Sequence, residues 1–157
     1  MNDAEIIESL KSALAEKAGD ITNPSTRRIF LKIDSHSLIP VITILRDKFD
    51  MTYLATISGV DKGDFFEIVY HFADTRTCLN VRTAVPRADP RIESITNVIP
   101  GAILYERELQ DMFGIIVDHI PDARPLLLPD GWPPANHPLR KDWKFERPVE
   151  TIPGGKS

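Results

Sequence analysis

Prolines crowd the C-terminal quarter of this chain: eight of its thirteen fall in the last 37 of 157 residues. Proline breaks the helical hydrogen-bond ladder and favours an extended backbone, so no long helix can form there. The segment is nonetheless rich in apolar anchors: Leu126, Leu127, Leu128, Trp132, Leu139 and Trp143. Charged groups are interleaved with them. A free tail would be polar. An extended stretch with this much apolar surface needs something to bury it. It is either an arm wrapped on its own domain or an arm laid across a partner protein, as docked strands are.

The rest of the chain is long enough for one domain with a proper core. Hydrophobic residues make up 42% and charged residues 27%, ordinary values for a soluble globular protein. A net charge of −4 gives no reason to expect nucleic acid. No cationic N-terminal region precedes an apolar run, so no signal peptide is expected. The best apolar stretch, Leu38 to Leu45, is too short to span a bilayer. Membrane association is expected only through partners. Cys78 is the single cysteine, which rules out an intramolecular disulfide and a self-contained iron–sulfur cluster. His36, His71, His119 and His137 never pair at helical spacing for zinc, and no glycine-rich phosphate loop occurs. We therefore expect no cofactor and no metal in this chain.

Apolar periodicity predicts a first helix through Ile6, Ile7, Leu10, Leu14 and Ala18, ended by Gly19. Asp20 to Thr26 reads as a loop, and Arg28 to Ile33 as a strand. Ser35 or Ser37 is expected to cap a second helix, with Pro40 in its first turn and Val41, Ile42, Leu45 and Phe49 on its inner face. Three β-rich runs follow, Thr52–Val60, Phe65–Phe72 and Thr77–Val85, and the short turns between them imply an antiparallel meander. Asp89-Pro90 reads as a helix start, and Pro100-Gly101 as another running to about Met112, closed by Gly114. Helix, strand, helix, three strands and short helices predict an α+β, two-layer domain over residues 1–114, followed by an extended arm over 115–157.

The densest polar cluster lies on the last helix: Glu106, Arg107, Glu108 and Asp111. At 100° per residue, Tyr105, Leu109, Met112 and Phe113 form the apolar stripe, with Glu108 and Asp111 opposite it. Glu108 and Asp111 could serve as a general acid–base pair in a free-standing soluble enzyme. Carboxylates beside an arginine are more often ion-pairing groups, and a polar face leading into an apolar arm suits docking on another protein. Arg124, between prolines and near Asp122, suits a bidentate carboxylate pair at an interface. Trp132 and Trp143 read as either core plugs or interface hot spots, and their place in proline-rich sequence favours the second. Arg140-Lys141-Asp142 could meet phosphate, but pairing with carboxylates on this or another chain fits better. His119 and His137 read as hydrogen-bonded structural histidines, and His71 and Cys78 as core or cross-strand residues. Arg124→Ala and Arg140→Ala are expected to weaken assembly more than folding.

In order, these residues read Glu106-Arg107-Glu108-x-x-Asp111-x-Phe113-Gly114, Pro121-Asp122-x-Arg124, Leu127-Leu128-Pro129-x-x-Trp132 and His137-Pro138-Leu139-Arg140-Lys141-Asp142. That block of about 40 residues strongly resembles the signature of the 30 kDa subunit family of respiratory complex I, the C-type subunits of NADH–quinone oxidoreductase. The family includes small subunits of membrane-bound, energy-converting nickel–iron hydrogenases. The run Asp118-His119-Ile120-Pro121-Asp122 is one residue longer than the complex I form. The stretch Pro133-Pro134-Ala135-Asn136 is also wider, and both departures are more similar to the hydrogenase-type branch. The resemblance implies a subunit without a redox centre, in the peripheral arm on the cytoplasmic side of an ion-translocating membrane complex. Its implied partners are a large catalytic subunit with a quinone site or a nickel–iron centre, and a small subunit holding an iron–sulfur cluster. The interface residues it implies are Glu106, Arg107, Glu108, Asp111, Arg124, Leu127, Trp132, His137, Arg140, Lys141 and Asp142.

Overall fold

The computed structural model describes residues 3–144. Helix α1 spans Asp3–Leu14 and buries Ile6, Leu10 and Leu14. Ala15, at φ 46°, breaks its regular path, and one turn of 3₁₀ helix follows at Ala15–Lys17. The stretch expected to be a loop is instead a strand, β1 (Ile21–Ser25), pairing antiparallel with β2 (Arg28–Lys32) through Ile21↔Leu31 and Thr22↔Phe30. Its exposed polar sequence hides it, and its pairing slips between Thr22 and Ser25, where Pro24 cannot donate to the ladder. As an edge strand it tolerates that loss.

Helix α2 (Leu38–Phe49) follows a 3₁₀ turn at Ser35–Ser37. Neither serine supplies the expected cap: Ser37 is the N-cap residue but its side chain makes no capping bond. The turn's own Ser37 N–H to Asp34 carbonyl bond leads the chain in. Leu38, Val41, Ile42 and Leu45 are fully buried.

The predicted meander is present as β3 (Leu54–Asp61), β4 (Phe65–Ala73) and β5 (Cys78–Pro86), antiparallel throughout. The sheet order is β1-β2-β5-β4-β3. β2 therefore lies parallel to β5, from Arg28↔Cys78 to Lys32↔Arg82, which makes the sheet mixed. Helices α1 and α2 pack with the sheet in one core that includes Ile29, Leu31, Ile68, Tyr70, Phe72, Leu79 and Val81, all inaccessible to solvent. The fold class is the α+β, two-layer arrangement that the element order implies.

Asp89-Pro90 starts no helix. It leads into β6 (Arg91–Glu93), which pairs in parallel with β7 (Ile116–Asp118) beside the main sheet. The tertiary partner decides here: Ile92 and Val117 are buried side by side, and a helix at residues 89–93 would have no such mate. Helix α3 (Ile103–Phe113) begins after a 3₁₀ turn at Pro100–Ala102. Gly114 closes it in the left-handed conformation, φ 67°, donating to Gln110 O. α3 lies on β3, and Phe113 packs over Gly59 so closely that a Cβ there would come within 2.5 Å of the ring. The chain leaves the body after Asp118, because residues 116–118 belong to β7.

Candidate functional site

Helix α3 is a rail to which the arm is strapped. Arg107 donates from Nε to Arg124 O at 2.8 Å and from Nη2 to Pro125 O at 3.0 Å. One turn further on, Asp111 Oδ2 accepts the main-chain N–H groups of Leu126, Leu127 and Leu128, at 2.8, 2.7 and 3.2 Å. The last turn of α3, whose carbonyls have no helical partner, then receives the returning arm. His137 Nδ1 donates to Asp111 O, Leu139 N–H to Met112 O and Arg140 Nε to Phe113 O. Gly114 leaves room for this, since a Cβ there would strike the His137 ring and the Arg140 guanidinium.

A second strap lies at the end of β3. Buried Asp61 accepts Lys141 N–H on Oδ2 and both Gly63 N–H and Arg87 Nη1 on Oδ1. Arg87 bridges onward to Asp142 at 2.9 Å. Burial works to raise the Asp61 carboxyl, but the Lys141 and Gly63 amides and Arg87 outweigh it and hold its pKa at about 2. The guanidiniums of Arg87 and Arg140 both lie over the Phe66 ring, at 5.0 and 5.2 Å from its centroid.

The arm's polar main chain is thus anchored to its own body, while three of its leucines remain exposed and Leu128, Trp132 and Trp143 are partly buried. Leu127 is 55% exposed, Leu139 53% and Leu126 37%. Leu104, one turn before Arg107 on the same helix stripe, is 51% exposed. Trp132 donates from Nε1 to Asn136 O and stacks at a tilt on Trp143. Its neighbourhood forms a shallow pocket of about 270 Å³ lined by Gln110, Asp111, Leu128, Trp132, Pro134 and His137.

Two readings of α3 change. Asp111 does not sit on an open polar face: the arm covers it, and three amides occupy Oδ2, so it cannot act as an acid–base partner for Glu108. Glu106 points inward and is 1% exposed, accepting Ser94 Oγ–H and Ile95 N–H at 2.7 Å each. Burial raises its pKa, against those two hydrogen bonds, and the charge of Glu93 adds to the rise. Glu108 makes no hydrogen bond or ion pair among the described residues. Arg124 pairs with Asp122 of its own chain, holding that carboxyl well below the usual range, and its side chain remains 82% exposed. Arg140 bonds within its own chain, donating to Phe113 O, with its guanidinium over the Phe66 ring. Asp61, Arg87 and Gly114 were not singled out in the sequence as arm contacts. They lie 80, 55 and 26 residues from the arm residues they meet, so nothing local marks them.

His71 bridges strands, from Nδ1 to Asn80 and from Nε2 to Ser58. His119 pairs with Glu93. Among the described residues no three His, Cys, Asp or Glu side chains are grouped to hold a metal ion, and no helix is long and apolar enough to cross a membrane.

This body and strapped arm define a class. The family model described as respiratory-chain NADH dehydrogenase, 30 Kd subunit, matches residues 31–149. The chain belongs to that family of oxidoreductase-complex subunits. It is 34% identical over 148 residues to the C-type subunit of the F(420)H(2) dehydrogenase of Methanosarcina mazei, covering 92% of this chain and 93% of that one. It is 36% identical over 151 residues to the C-type subunit of the NADH-quinone oxidoreductase of Nocardioides sp., where 88% of this chain spans 60% of that protein. The fold is that of a chain in the membrane-bound sulfane sulfur reductase, an archaeal respiratory membrane complex, at TM-score 0.80 and 22% identity over 90% of this chain and 85% of the other. It also matches a trypsin-resistant fragment of Nqo5 at TM-score 0.64 and 23% identity, over 74% of this chain and 98% of the fragment.

Proposed function

We propose that this chain is a cofactor-free, non-catalytic subunit of a membrane-bound, complex-I-like oxidoreductase, and that it joins the large catalytic subunit to the iron–sulfur small subunit through its arm. It lies peripherally, on the cytoplasmic side, and meets the membrane only through those partners. One observation carries this reading. The arm's main chain is held in place by α3 and Asp61, while Leu104, Leu126, Leu127 and Leu139 are each left substantially exposed. Ordering the backbone in advance lowers the entropy cost of docking, and the leucines supply the apolar area that a partner would bury. The single cysteine and the absence of a ligand cluster among the described residues support a chain without a redox centre.

The test is co-purification of the membrane complex with the triple variant Leu126→Asp, Leu127→Asp, Leu139→Asp. We expect the variant to fold alone but to be lost from the complex. Normal incorporation would refute docking through the arm. Stoichiometric iron, nickel or zinc in the purified wild-type chain would refute the cofactor-free reading.

A further inference from the structure

Glu106 is an anomaly in electrostatic terms. A buried carboxylate normally has a cation beside it, because an unpaired charge in the interior is strongly disfavoured. Glu106 is 1% exposed and forms no ion pair among the described residues; its hydrogen-bond partners are Ser94 Oγ and Ile95 N–H. The charged or titratable groups bearing on it are Glu93 of β6, which repels its negative form, and Tyr70 of β4. The Tyr70 hydroxyl is buried and has no hydrogen-bond partner among the described residues. Nothing described on β4, β6 or α3 neutralises the charge.

Two buried hydroxyls continue the hydrogen bonding from it. Ser94 Oγ lies 2.7 Å from Glu106 Oε2 and 2.7 Å from Thr96 Oγ1, and it accepts Thr96 N–H at 3.2 Å. Thr96 is 7% exposed, and the next residue, Asn97, is exposed. Only one proton arrangement suits an ionised Glu106: Thr96 O–H donates to Ser94, and Ser94 O–H donates to Glu106. If Glu106 is protonated, both donors reverse. Glu106 then donates to Ser94, Ser94 donates to Thr96, and the Thr96 proton points away. Ser94 keeps three hydrogen bonds in either state.

We propose that Glu106 is a proton-binding site fed through the Thr96–Ser94 hydroxyl relay. A proton arriving at Thr96 Oγ1 displaces the Thr96 proton to Ser94 Oγ, which passes its own to Glu106 Oε2. Each proton moves one place, and the net change is one proton bound. The relay reverses, so occupancy of Glu106 is written into the hydrogen bonding of residues 94–96. Those residues join β6 to the turn before α3, the helix that carries the arm.

The experiment is a pH titration of the full chain labelled with ¹³C at glutamate carboxyls, with amide shifts followed in parallel. The Glu106 signal is identified by its loss in Glu106→Gln. We expect its midpoint above the ordinary glutamate value of about 4.3, with the Ile95 and Thr96 amides following the same curve. Ser94→Ala removes a donor to the ionised form and should move the midpoint higher. If Ser94→Ala does not fold, Thr96→Val provides the second test: it removes the outer hydroxyl but keeps the residue-96 amide on Ser94 Oγ. Glu106 should then still titrate with that amide following, while its proton exchange slows, and unchanged exchange would overturn the relay. A Glu106 midpoint at or below the ordinary value would overturn the proposal. So would Ile95 and Thr96 amides that ignore its titration.

Discussion

The body and the arm are held by opposite means. In the body, β2, β4 and β5 bring Ile29, Leu31, Phe66, Tyr70, Leu79 and their neighbours against α1 and α2, and apolar burial is complete. In the arm, the main chain is fixed by hydrogen bonds from Arg107, Asp111, Asp61 and the end of α3, while leucines remain half exposed. Burial is what stabilises a fold against chain entropy. The body therefore supplies its own stability, whereas the arm is positioned by polar straps and leaves its leucines half exposed. A segment can be fixed by polar main-chain bonds while its apolar side chains stay half exposed.

Phe66 tests the joint between the two regions. It touches Phe113 edge-on at 6.0 Å and lies beneath both Arg87 and Arg140. Phe66→Ala should cost about 3–5 kcal/mol, the range for deleting a buried aromatic ring. It should loosen body and arm together in a thermal melt. If the melt is unchanged, the ring is not the junction.

Breaking the straps should separate the regions. Asp111→Ala leaves the amides of Leu126, Leu127 and Leu128 without their acceptor and should cost about 2–3 kcal/mol. The loss is expected mainly as early trypsin cleavage at Arg140 or Lys141, with the body still folded. Gly114→Ala should release the arm from His137 onward by the clash it creates. Uniform protection of those sites in both variants would mean that the arm is held by something other than α3.

The pH dependence has two opposite signs. Asp61 has a depressed pKa, so its contribution is present above the ordinary aspartate value and is lost as pH falls towards about 2. Glu106 has a raised pKa, so its contribution is present below the ordinary glutamate value and is lost as pH rises through the raised one. Denaturant midpoints measured across pH should lose the first slope in Asp61→Asn and the second in Glu106→Gln. Retention of either slope in its variant would assign it to another group.

The smallest expected effect on stability is at the outward leucines. Leu127→Asp and Leu139→Asp should change the melt of the isolated chain by no more than about 0.5 kcal/mol, as exposed sites do. A larger loss would mean that these side chains help hold the arm on its own body.

Both regions could be read in part from the amino-acid order. The meander of β3, β4 and β5 was visible because two short turns and alternating apolar residues specify antiparallel neighbours. Helix α2 was visible from its apolar periodicity, and the closure of α3 from Gly114, a residue suited to the left-handed conformation. β1 was hidden, since its side chains are exposed and its strand character comes only from pairing with β2. The parallel match of β2 to β5 was hidden because 50 residues separate Arg28 from Cys78. At the candidate site the sequence marked Arg107, Asp111, His137 and Arg140 by their residue types and their place in a motif, but not the direction in which each reaches.

Local chemistry determined the helices, the meander, the proline-stiffened arm and the family signature, because turns, caps and apolar periods act over a few residues. Only the tertiary structure decided what those elements hold. Asp111 reads the same whether it faces water, a substrate or three arm amides, and Glu106 reads the same exposed or buried. Contacts across 80 residues, such as Asp61 with Lys141, leave no local trace. They exist because the sheet places the end of β3 beneath the returning arm.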